Sequence, residues 1–266
     1  MVSIEFPQDC KSMTLTIPSL FSPKLTILFA CATLALLAGC ARPSASVEIN
    51  DPYETENRGM HAFNVAVDRH VIKPVAMGVA HPGGGPVQIG IGNFANNLAL
   101  PGDVLNSLLQ LRLGKAVENT LRFSINTVVG VGGIFDPATA AGVAGKQTDF
   151  GETLYVWGVD EGAYIELPLL GPSTQRDALG EVVDSVINPL GLLLPSPESY
   201  IGTVAKVASK ISDRGRYSDT YDSVLYDSAD GYAQTRLLYL QKRRFELGQT
   251  TGEAGYVDPY EDPYAQ

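Results

Sequence analysis

Few residues of this chain are of a type that could run chemistry, and their spacing argues against most of it. The only histidines are His61, His70 and His81. His61 and His70 share a predicted helix, but nine residues place them about half a revolution apart. They do not form a paired metal face and read as polar helix-surface residues. Gly142-Val143-Ala144-Gly145-Lys146-Gln147 hints at a phosphate loop. It fails because Ala140 stands where the first glycine is needed and Gln147 where a metal-binding hydroxyl is needed. Asp149-Phe150-Gly151 has the spelling of a kinase triplet, without the nucleotide loop, catalytic loop or lysine context that would support it. Gly130-Val131-Gly132-Gly133 follows a predicted helix rather than a strand, so it is not a dinucleotide fingerprint. Those glycines suit either a tight turn or a flexible loop beside a passage. No serine stands in a Gly-x-Ser-x-Gly context. The carboxylate pairs Glu54 with Glu56 and Asp227 with Asp230 read as solvated positions. No catalytic group, metal site or cofactor is expected.

That leaves the thiols Cys10, Cys31 and Cys40. Cys40 closes the stretch Leu37-Ala38-Gly39-Cys40, behind Lys24 and a largely apolar run over residues 25–37. A basic flank, an apolar run too short for an ordinary span and a small-residue cleavage site make a signal peptide. Ending on a cysteine, the site resembles the lipobox of bacterial lipoproteins; the other reading is a plain signal peptide with an incidental cysteine. The resemblance implies acylation of the Cys40 thiol, cleavage before it and acylation of the new N-terminus. At ~0.8 kcal/mol per buried CH₂, one acyl chain binds marginally and two or more bind stably. Ala41 follows, where an Asp would resemble the inner-membrane retention signal, so the outer membrane facing the periplasm is favoured. Met13 is a plausible initiator. Cys10 and Cys31 leave with the signal, so the mature domain is expected to lack disulfides, thiol nucleophiles and cysteine metal sites.

The formal net charge is -10. It stays there when residues 1–39 are removed, because Glu5 and Asp9 leave with Lys11 and Lys24. This balance argues against a nucleic-acid partner and gives no electrostatic reason to bind anionic headgroups. The organisation predicted is a signal peptide over 1–39, a lipidated tether over 40–50, a helical domain over 51–248 and a disordered acidic tail over 249–266.

The elements that would position any site are helices. Asp51, Pro52 and Glu54 read as N-cap, first helical position and capping-box acid. Tyr53, Met60, Phe63, Val67 and Val71 then recur on one face, until Pro74 breaks or restarts the helix. Between Pro74 and Gly102 there is no Asp, Glu, Lys or Arg. The stretch is long enough to cross a bilayer, but Pro74, Pro82, Pro86, Pro101 and Gly83-Gly84-Gly85 punctuate it. Two short helices, over 74–80 and 86–97 with a glycine turn between, are predicted. Such helices suit the membrane interface; a buried soluble core could have the same composition.

A further short helix is expected over 103–111 and a longer one over 113–129, with Val117, Leu121, Ile125 and Val128 on one face. Asp136-Pro137 and Asp149 with Glu152 cap two more. Residues 163–170 look extended until Pro168 ends them. Ser173 is predicted to cap a helix to about Ile187 that buries Leu179, Val183 and Ile187. Ser196-Pro197 and Ser228 start the last two, and Lys242-Arg243-Arg244 suits the C-terminal end of the final dipole. The fold class is all-α, built of many short amphipathic helices.

Several segments in order resemble the MlaA (VacJ) lipoprotein family. They begin with Asp51-Pro52-Tyr53-Glu54, Asn57-Arg58, Phe63-Asn64 and Lys73-Pro74-Val75-Ala76. Gly92-Asn93-Phe94-Ala95-Asn96-Asn97-Leu98, Arg122-Phe123, Asn126-Thr127 and Gly130-Val131-Gly132-Gly133 follow. Asp149-Phe150-Gly151-Glu152-Thr153-Leu154, Trp157-Gly158-Val159 and Gly171-Pro172-Ser173-Thr174 complete the series. The run at 83–85 and the doubled Asp-Pro-Tyr of the tail depart from the pattern. The resemblance implies a ring or disc of helices embedded in the inner leaflet of the outer membrane around an amphipathic channel. It implies a non-enzymatic role, removing mislocalised phospholipid from the outer leaflet to maintain lipid asymmetry. The implied partners are phospholipid, an outer-membrane porin trimer and a soluble periplasmic lipid carrier that feeds an inner-membrane ATP-driven transporter. It places Phe63 and Asn64 on the membrane-facing first helix and Gly130, Gly132 and Gly133 on a channel-side loop. A porin-bound structural lipoprotein without a lipid path is the alternative, and a lipid-modifying enzyme has no residue signature here.

Overall fold

The computed structural model describes residues 49–79 and 85–249. The cleavage site, Cys40, the tether before 49, His81, most of the glycine turn at 80–84 and the tail beyond 249 lie outside them.

Helix α1 (Glu54–Val67) runs into a π-helical turn (Asp68–Ile72) and on into α2 (Lys73–Val79). The wider π turn lies just ahead of Pro74, whose missing N–H and bulky ring disfavour a continuous α ladder. Asp51 does not cap α1, and no side chain does. Its carboxylate instead accepts from Asn57 Nδ2 at 2.9 Å, from Tyr232 Oη and from Arg236.

The largest departure is α3 (Pro86–Leu109), which passes straight through Pro101 and merges two helices predicted to be separate. An interior proline costs about 3 kcal/mol. Side chains on both sides of it tie the helix down. Asn97 Nδ2 donates to Thr127 Oγ1 at 3.1 Å, the Asp103 carboxylate accepts from Thr148 N, and Asn106 Nδ2 donates to Asp184. Helix α4 (Leu113–Val128) packs back along α3. Helices α5 (Pro137–Ala140) and α6 (Phe150–Val156) start where their caps predict: Asp136 accepts from Thr139 N and Asp149 from Glu152 N.

A hairpin of β1 (Tyr164–Leu167) and β2 (Gly171–Thr174) follows, antiparallel, with Tyr164 opposite Thr174 and Leu167 opposite Gly171. Only β1 is legible locally; Gly171-Pro172-Ser173-Thr174 has turn chemistry and becomes a strand by pairing. Thr174, not Ser173, caps α7 (Gln175–Ile187), and Leu179, Val183 and Ile187 are only half-buried. The sequence prediction missed α8 (Pro189–Leu193) and α10 (Ser218–Leu225). Between them lie a 3-10 turn (Glu198–Tyr200) and α9 (Ile201–Arg216), which begins after Ser196-Pro197. The last helix, α11 (Gly231–Glu246), is capped by Asp230 rather than Ser228.

Polarity is inverted relative to a water-soluble bundle. The buried apolar residues are mostly alanines and a small cluster of Tyr164, Tyr232 and Leu240. Among the described residues polar side chains outnumber them in the interior, including Asn97, Asn106, Asn119, Asp103, Glu166 and Arg214. On α1 the buried side carries Asn57 and His61, while Phe63 is 49% exposed. On α4 it carries Ala116, Asn119 and Asn126, while Val117, Leu121 and Val128 face outward. His61 is therefore buried, contrary to its reading as a surface residue; His70 is exposed. Many large apolar side chains are exposed, among them Leu111, Leu113, Val128 and Leu193. No described helix is long and apolar enough to cross a membrane.

Candidate functional site

Several polar knots hold the described part of the interior together. The first joins Asp51 to Tyr232 and Arg236, as above. In the second, Arg214 donates from Nε to Asp68 Oδ1 at 2.9 Å and from Nη2 to Asp68 Oδ2 at 2.8 Å and Asp222 Oδ1 at 2.7 Å. Lys73 Nζ reaches Asp222 Oδ2 at 2.7 Å. This knot ties the π turn to α9 and α10, and its two cations hold the Asp222 carboxyl below the usual range against the burial that raises it.

The third knot lies among α3, α6 and α7. Gln110 Nε2 donates to Thr148 Oγ1 at 2.7 Å and Thr153 Oγ1 at 3.0 Å. Thr153 Oγ1 donates to Asn106 Oδ1 at 3.0 Å, and Asn106 Nδ2 to Asp184 Oδ1 at 2.8 Å. Arg112 pairs with Glu152. Asp103 borders this knot with Oδ2 buried and without a hydrogen-bond partner among the described residues. Burial pushes its carboxyl up to about 7 from 3.8; the Thr148 N–H lowers it, and nearby Asp184, Asp149 and Glu152 raise it further. A raised carboxyl holds a proton in the folded state that the unfolded chain releases. Stability is therefore lost as pH rises from about 4 through 7. Asp103→Asn is expected to raise stability at pH 8, to leave it nearly unchanged at pH 4 and to flatten the profile between. Denaturant titrations of wild type and variant across that range check this.

The glycine loop joins α4 to α5. Val131, Gly132 and Gly133 all take positive φ, at 54°, 72° and 97°. Gly132 N donates to Thr127 O at 2.9 Å and Phe135 N to Gly130 O at 2.9 Å. Asn97 and Asn93 of α3 donate to Gly132 O at 3.3 Å and Ile134 O at 3.1 Å. The loop is thus a tight turn held at both ends. Beside it a cleft of about 310 Å³ is lined by Pro86, Ile89, Gly90, Asn93, Ile134 and Phe135. A second cleft, of about 250 Å³, is lined by charged groups that include Asp177, Lys206 and Arg243.

Phe63 projects outward from α1, and the neighbouring Asn64 turns inward to the hairpin, donating to Leu167 O at 2.9 Å. The two first-helix candidates therefore sit on different sides of α1, and neither meets the glycine loop among the described contacts. Sequence reasoning missed Asn57, Asp103 and Arg214. A signal existed for the first: Asn57, His61 and Asn64 make a polar stripe at helical spacing along a helix whose other face is apolar. Among the described residues no group of His, Cys, Asp or Glu could hold a metal ion.

The model of the MlaA lipoprotein family matches residues 49–246. The chain belongs to the MlaA lipoprotein family. It is 32% identical over 237 residues to the intermembrane phospholipid transport system lipoprotein MlaA of Escherichia coli, covering 87% of this chain and 90% of that protein. The Haemophilus influenzae MlaA is 33% identical over 229 residues, covering 84% of this chain and 90% of its own length. An uncharacterised Rickettsia typhi protein is 33% identical over 199 residues, or 74% of this chain and 78% of its own. A structure solved in work on the maintenance of bacterial outer-membrane lipid asymmetry superposes with a TM-score of 0.61 at 30% identity. It covers 74% of this chain and 98% of the solved one. The helical architecture expected of the MlaA family, with one short hairpin added, is thus that of a solved relative.

Proposed function

We propose that this MlaA-family protein is a non-enzymatic phospholipid-transfer lipoprotein of the outer membrane. It is anchored through Cys40 and embedded in the inner leaflet. It takes mislocalised phospholipid from the outer leaflet and passes it to a soluble periplasmic carrier, beside a porin trimer. The observation that carries this reading is the inverted polarity. Exposing two acyl chains to water costs on the order of 20 kcal/mol, at ~0.8 kcal/mol per CH₂. A transfer protein has to shield the tails and give the headgroup a polar route, and it needs no nucleophile to do so. Outward Phe63, Val117, Leu121 and Val128 suit an acyl surround, and the buried asparagines and carboxylates suit a polar interior. Relatives named as intermembrane phospholipid transport lipoproteins support the same reading.

Clean deletion in the native host tests it. Surface-exposed phospholipid is expected to rise and to return to normal on complementation. Unchanged surface phospholipid contradicts transfer and leaves a porin scaffold as the role.

A further inference from the structure

Among the described residues no strand pairs with the outer edge of β1; Tyr164 N donates to Asn50 O at 2.8 Å, and α1 supplies the further partners from side chains. Asn57 Nδ2 donates to Tyr164 O at 3.1 Å, and Asn57 Oδ1 accepts from Glu166 N at 2.9 Å. Two turns on, Asn64 Nδ2 donates to Leu167 O at 2.9 Å, and Asn64 Oδ1 accepts from Leu169 N at 2.8 Å. Between them His61 Nδ1 lies 3.3 Å from Glu166 Oε1. Each asparagine amide presents a donor and an acceptor side by side, as a peptide group would on a third strand.

The second of these contacts acts on the tip. Leu169 is a non-glycine residue at φ 64°, a region that L side chains rarely adopt. It is 64% exposed, and Leu170 beside it is 50% exposed. Residues 167–172 read Leu-Pro-Leu-Leu-Gly-Pro, with no charge. Pro168 has no N–H, and Asn64 satisfies the Leu167 carbonyl and the Leu169 N–H. Satisfying these two backbone groups lowers the cost of seating the apolar tip in hydrocarbon, where an unpaired N–H or C=O is strongly disfavoured. In water the same two leucines would be exposed without gain.

We propose that α1 is a latch for the hairpin, with Asn64 the positioning residue that presents Leu169 and Leu170 to the acyl region of the bilayer. This rests on the reading that the domain lies in a membrane leaflet. The test uses the full acylated protein with Trp157→Phe and Leu170→Trp, on phosphatidylcholine vesicles with brominated acyl chains. The indole at position 170 is expected to be quenched. Asn64→Ala is expected to reduce that quenching by about half and to speed amide exchange of the tip peptide about tenfold, since a protecting hydrogen bond is lost. Exchange in β2 and α11 is expected to stay unchanged. Adding Leu169→Gly, which adopts positive φ freely but brings back no acceptor for that N–H, is expected to leave exchange fast, so that the protection is traced to the hydrogen bond and not to the strained turn. Asn64→Asp, which keeps the acceptor and loses the donor, is expected to fall between. Wild-type exchange at the tip in Asn64→Ala overturns the latch, and an unquenched indole on protein that sediments with vesicles overturns the lipid contact. Failure to sediment with vesicles contradicts the membrane reading instead, while the exchange measurement still decides the latch.

Discussion

Gly133→Ala is expected to destabilise the protein by about 2–4 kcal/mol, combining left-handed strain with steric overlap. A Cβ there would lie 2.4 Å from Asn97 Cβ, on a residue at φ 97°. Gly132→Ala meets nothing within 4 Å and bears only the strain of φ 72°, so about 1 kcal/mol is expected. At about 2–4 °C per kcal/mol for a domain of this size, the two melting temperatures should differ clearly. Thermal melts of both variants in detergent check this. Equal and small losses would mean that the loop swings free of Asn97, contrary to its hydrogen bonds.

Arg214→Met is expected to cost about 3–5 kcal/mol, because it leaves the buried Asp68 without its guanidinium and takes one of two cations from the half-buried Asp222. Adding Asp68→Leu should recover much of that loss, since the penalty comes from an unpaired buried charge rather than from a missing attraction. Denaturant titration of the two single variants and the double variant measures the coupling. A single variant within 1 kcal/mol of wild type would show that the cluster is solvated rather than interior.

The parts of this fold that were legible in sequence are those whose signal is local. Asp136 and Asp149 were recognisable as caps because each needs only the N–H three residues on. For Gly130, Gly132 and Gly133 residue type left a tight turn and a flexible loop equally open, and the bonds from Asn93 and Asn97 that hold the turn are tertiary. Asp51 misled because it has cap chemistry but is claimed by Tyr232 and Arg236, almost the whole domain away in sequence. Pro101 misled because the ties at Asn97, Asp103 and Asn106 are tertiary. The apolar spacing of α1 and α4 defined a face but not its direction. A period of 3.6 fits a stripe turned to a protein core and one turned to lipid equally well. Asn57 and Asn64 stayed hidden as a side-chain strand because their partner, the outer edge of β1, exists only once the hairpin has formed.

The central claim is that the apolar exterior, and not the acyl anchor alone, seats the domain in the membrane. Flotation of the acyl-free chain, carrying Cys40→Ser and lacking residues 1–39, with phosphatidylethanolamine-containing vesicles measures this. The prediction is that it rises with the vesicles and stays with them through a high-salt wash. Recovery in the aqueous fraction as a compact monomer would contradict it.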